Sequence, residues 1–155
     1  MRVAAAALFA AYAVTAFAHP APNSIVRFEF EAGGARAEYW IPESELDYAR
    51  AADPAGDLPA YLLRHVAAET TAGERWRVAI ASVRGTNYLG HPYIVATLTL
   101  TPPAGALARD FVLVDDAVTH EVRNHRVFVV ARHGAGSDLV GALQYPANRL
   151  AVAAR

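Results

Sequence analysis

At 155 residues, with 54% hydrophobic and 19% charged positions, the chain is long and apolar enough to bury a core as one domain, and it is not a disordered tail. Its 14 arginines, absence of lysine and formal net charge of -1 leave no basic field to neutralise a phosphate backbone, which argues against nucleic acid as a partner. Cysteine is absent, so neither disulfides nor thiolate metal ligands are available.

Residues 1–18, MRVAAAALFAAYAVTAFA, combine a positive charge at Arg2, an apolar stretch from Val3 and small residues at Ala16 and Ala18. This is the pattern of a secretory leader cleaved after Ala18, and the stretch is shorter than the ~20 residues that a spanning helix needs. The expected organisation is a leader over 1–18 and a single domain over 19–155, starting at His19 on the outer side of the cytoplasmic membrane.

Val26, Phe28 and Phe30 alternate with Arg27, Glu29 and Glu31, the period of a strand with one wet face. After Gly33 and Gly34 the alternation resumes through Ala35, Ala37, Tyr39 and Ile41, so the pair reads as a hairpin. Pro42 then opens PESELDYARAAD, a short acidic turn of helical character with carboxylates near its start, Arg50 near its end and Asp53-Pro54 as its stop. Asp57 is placed to cap a second helix on which Leu58, Leu62 and Val66 share a face. Strand-like runs follow: RWRVAIASV, YIVATLTLT, DFVLV, RVFVVAR and LVGALQY, the last ended by Pro146. The expected fold is therefore mainly β: an antiparallel, immunoglobulin-like β-sandwich of about seven strands, with a helical insertion over roughly 42–66.

The chemistry-bearing stretch is DDAVTHEVRNHRVFVVARH, residues 115–133. It superficially resembles the zinc-protease signature, but that motif needs histidines four apart on a helix, whereas His120 and His125 are five apart beside a β-branched run. A loop entering a strand is the plainer reading, its imidazoles tied to the sheet. His65 and His133 read as surface or cap residues, and His91, in NYLGHPY, as a loop histidine bonded to backbone. His19 differs, because leader cleavage would give it a free α-amine beside its imidazole, a chelating pair suited to Cu(II) or Ni(II). There is no nucleophile elbow or phosphate loop, and Ser24, Ser44, Ser82 and Ser137 fall into no recognisable arrangement with a histidine and an acid. The adjacent acids Asp115 and Asp116 read as solvated. A non-enzymatic domain is expected.

Taken together, AHPAPNS, IPESEL, YLLRHV, LTPPAG, DAVTHEVRNH and LVGALQYPAN resemble the N-terminal extracytoplasmic region of HupE/UreJ-type membrane proteins. In that family the region precedes a transmembrane bundle, and better-known members are associated with nickel or cobalt uptake. The resemblance implies a domain that assists metal capture or transporter assembly, with a permease bundle in cis or in trans. His120, Glu121 and His125 lie on the family-like motif and His19 at its usual His-Pro start. Any ligand is expected to be a divalent transition metal (nickel, copper or zinc) held by His19 first and by His120 and His125 second. Two other readings stay open: a free periplasmic copper-binding sandwich using His19, and an adhesion or assembly module with no ligand.

Overall fold

The computed structural model describes residues 22–154, so the leader and His19 lie outside the described residues. Period-two alternation becomes the first two strands, β1 (Ser24–Glu31) and β2 (Gly34–Pro42), paired antiparallel from Ile25 against Trp40 to Glu31 against Gly34. Gly34 is required there: a Cβ would sit 2.1 Å from the carbonyl oxygen of Leu100 on the neighbouring strand. The helical insertion follows as expected, with α1 (Glu43–Ala52) and α2 (Leu58–His65). Asp57 caps α2, its carboxylate accepting from the Ala60 N–H at 2.9 Å.

The remaining strands among the described residues are β3 (Val66–Glu69), β4 (Arg77–Tyr88), β5 (His91–Thr101), β6 (Asp110–Asp115), β7 (Val127–His133), β8 (Gly136–Leu143) and β9 (Arg149–Ala153). They form a six-stranded sheet in the order β4-β5-β2-β1-β7-β8 and a three-stranded sheet in the order β3-β6-β9. The architecture is a mainly β sandwich. Nine strands among the described residues replace the expected seven or so, because Val66–Glu69 and Arg149–Ala153 are too short to show a period of their own. Pairing is antiparallel except between β1 and β7, which run parallel with Val26 beside Val129. That exception arises because the chain crosses from β6 in the small sheet to β7 in the large one through residues 116–126, and returns alongside β1.

The core lies between the sheets. Phe28 from the large sheet meets Phe111 from the small one edge-on, with ring centroids 5.1 Å apart, while alanines at 37 and 131 flank Phe28 in register and leave it room. Burying each such ring contributes roughly 2–3 kcal/mol before ordering entropy. At one end of this interface the inward positions turn polar: Ser24 on β1, Tyr39 on β2 and Asp115 on β6 are all fully buried. The loop over 116–126 closes that end.

Candidate functional site: the loop between the sheets

Residues 116–126 form a series of tight turns, with His120 N–H donating to Asp116, Val122 N–H to Val118 and His125 N–H to Val122. Ala117, Val118 and Thr119 are buried, so this loop is a plug anchored in the core. Tyr61 on α2 reaches across to donate its hydroxyl hydrogen to the Ala117 carbonyl. The helical insertion therefore grips one flank of the loop.

On that flank lies His120. Its Nδ1 is 2.7 Å from the Asp116 carbonyl oxygen, which can only accept, so Nδ1 carries a proton and, in the neutral ring, the lone pair lies on Nε2. Nε2 makes no hydrogen bond among the described residues. The ring stacks on His65 with centroids 4.5 Å apart and planes 15° apart. His65 is itself held by carboxylates, with Nδ1 2.8 Å from Asp116 and Nε2 3.4 Å from Asp53. Arg64 adds a 2.8 Å ion pair to Asp53, and this hydrogen-bonded partner holds the Asp53 carboxyl below its usual range. The expected cap residue His65 is thus half-buried and supports His120. Asp116, expected to be solvated, is its anchor.

On the opposite flank His125 is 2% exposed. The Ser24 N–H donates to its Nε2 at 3.2 Å, and the Ser24 hydroxyl lies 2.8 Å from the same nitrogen. Nε2 is therefore an acceptor and Nδ1 carries the proton, in a buried position without a partner. Burial pushes the imidazole down to about 4, so the ring is neutral at physiological pH. Ser24, Tyr39, Asp115 and His125 together make a polar cluster inside the sandwich. Asp115, expected on a solvated turn, is fully buried; its Oδ1 accepts from the Ala117 N–H at 3.0 Å, and burial pushes the carboxyl up to about 6. Burial first, and the Asp115 charge second, push the Tyr39 phenol well above its ordinary value, although no hydrogen bond of good geometry closes between them. Ser24 stands beside a histidine. No acid holds the far side of that ring and the hydroxyl is fully buried, so the arrangement is not a nucleophilic triad.

Period-two counting contained the missed signal. Ser24 precedes Val26 and Phe28, and Asp115 follows Phe111 and Leu113, at positions that face the core. Of the other histidines, His91 stands exposed where β5 leaves its hairpin turn, and the Nε2 of His133 is buried without a partner. Among the described residues no group of three or more histidine, aspartate or glutamate side chains converges as a metal cage, and no helix is long and apolar enough to cross a membrane. No model of a known family and no curated protein sequence matches this chain.

Proposed function

We propose that the chain is a non-catalytic, extracytoplasmic domain of the HupE/UreJ type, assisting capture of a transition metal such as nickel or cobalt, or assembly with a membrane permease bundle in cis or in trans. The observation that supports this reading is His120: a half-buried imidazole with its proton directed to a backbone carbonyl and its Nε2 lone pair unused. Backbone-oriented imidazoles of this tautomer are good ligands for Ni(II), Cu(II) and Zn(II). One nitrogen is not a cage. The fit is to an open site whose other donors come from elsewhere, with the amine and imidazole of His19 the first candidates within this chain. His125 is a poorer ligand than its position in the motif implies, because its accepting nitrogen is taken by Ser24.

Calorimetric titration of the exported protein with nickel, copper and zinc tests this reading, using His120→Ala, His19→Ala and a form with one residue added before His19. Binding that weakens in His120→Ala and in the extended form supports an open site shared by the loop and the terminus. Binding to none of the metals removes capture and leaves assembly. Recovery of a chain beginning at Met1 from the membrane fraction would contradict the cleaved leader.

A further inference from the structure

At the end of the large sheet that carries Ser24, the hairpin joining β4 to β5 turns through Leu89 and Gly90, both with positive φ, 51° and 83°. Asparagine or glycine is the favoured residue at such a turn position, and a branched apolar side chain there costs roughly 1–2 kcal/mol. Leu89 is also 82% exposed, the highest value among the exposed large apolar residues described. A residue both strained and solvated has no explanation within the fold.

Its surroundings supply one. Behind Leu89 an open groove of about 310 Å³ is lined by Tyr88, Tyr93, Ile25 and Phe128. Further along the same sheet end, at the close of β8, Tyr145 is 46% exposed and lies 4.7 Å from the Arg123 guanidinium. Arg126, between these features, is exposed and pairs with Gln144 at 3.0 Å. The chain itself comes into the fold midway along this rim: Pro22 lines the groove, and the Asn23 carbonyl accepts from the Tyr93 hydroxyl at 3.0 Å. Ala18, the last residue of the apolar leader, is four residues before Pro22, a reach of at most ~14 Å.

We propose that this rim is a membrane-contacting surface, with Leu89 entering the lipid and Tyr145 and Arg123 lying at headgroup level. A bilayer accounts for the pattern better than a protein partner does. Isolated apolar and tyrosine tips interleaved with arginines suit the interfacial zone, where aromatic rings and guanidiniums have both an apolar and a wet side. A protein interface of useful affinity has instead a contiguous, charge-depleted centre. The leader brings this same end to the membrane during export. The proposal rests on the extracytoplasmic reading above for which membrane is met, but not on metal binding.

Because the chain has no cysteine, single labels are clean. Leu89→Cys and Leu107→Cys place an environment-sensitive fluorophore at opposite ends of the sandwich, and Leu107 is a fair control because it is 75% exposed. The full chain is mixed with vesicles of phosphatidylethanolamine and phosphatidylglycerol carrying nitroxide-labelled acyl chains. The proposal expects quenching and a blue shift at position 89 with neither at 107, and a vesicle-bound fraction that falls roughly tenfold in Leu89→Asp but not in Leu107→Asp. The readings are repeated on protein cleaved after Ala18, because a retained leader would itself bring position 89 to the vesicle; loss of quenching at 89 on cleavage would overturn the proposal. Equal quenching at both positions, quenching at 107 alone, or none at 89 would overturn the proposal; in the last case a Leu89→Asp defect confined to assembly would assign the rim to a protein partner instead.

Discussion

His120 and His125 are five residues apart in one loop and have opposite chemistry. His125 is enclosed by the sandwich, where Ser24 occupies its accepting nitrogen and burial holds it neutral. His120 faces the helical insertion, where a carbonyl orients it and His65 supports it while Nε2 stays available. Residue type and motif membership therefore do not decide which histidine can act. Packing does, through which nitrogen remains unused.

Truncating each ring separates the two histidines most strongly. His125→Ala removes a buried ring and leaves the Ser24 N–H without that acceptor, and should destabilise the domain by roughly 3 kcal/mol. His120→Ala removes a partly solvated ring and should cost less than about 1 kcal/mol. Urea denaturation of both variants measures the difference. Equal losses would mean that the loop does not divide into a structural side and an available side.

The acid dependence of stability sharpens it further. Asp115 has a folded pKa raised to about 6, so below the reference carboxylate value its contribution is fully present, and it is lost as pH rises through 6. His125 has a folded pKa depressed to about 4, so its contribution is absent at low pH and is gained as pH rises from about 4 to 6.5. Each is worth roughly 3 kcal/mol across nearly the same window, with opposite sign. From these two groups alone the unaltered protein should show a nearly flat profile. Asp115→Asn should make stability climb with pH in that window, and His125→Gln should make it fall. Thermal unfolding from pH 4 to 7 reads the slopes; flat profiles in both variants would show that neither group is perturbed in the folded state.

A smaller effect probes the other flank. Asp57→Ala removes the α2 cap and should lower stability by about 1 kcal/mol. Because α2 carries His65 and Tyr61, the change should disturb the His120 resonances in an NMR spectrum more than those of His125. The reverse order would mean that the insertion does not hold the loop.

Much of this architecture is legible in the sequence, and the limits have physical causes. The β1–β2 alternation, the Asp57 cap and the bounds of the helical insertion rest on neighbours within a few residues, which sequence order preserves. The parallel pairing of β1 with β7 joins segments 103 positions apart, Ser24 beside Val127, and no local period encodes it. His65 looked like a cap because its partners Asp116 and His120 meet it only after β6 has paired with β3. Asp115 and Ser24 looked solvated or unplaced because their polarity outweighed a period-two position that pointed inward.

The most direct measurement is imidazole nitrogen NMR of the labelled protein at neutral pH, repeated while nickel is added. Both His120 and His125 should carry their proton on Nδ1, nickel should broaden the Nε2 signal of His120, and the His125 signals should not move. Broadening at His125 with His120 unaffected, or a proton on Nε2 of His120, would contradict the division of this loop between a core histidine and an available one.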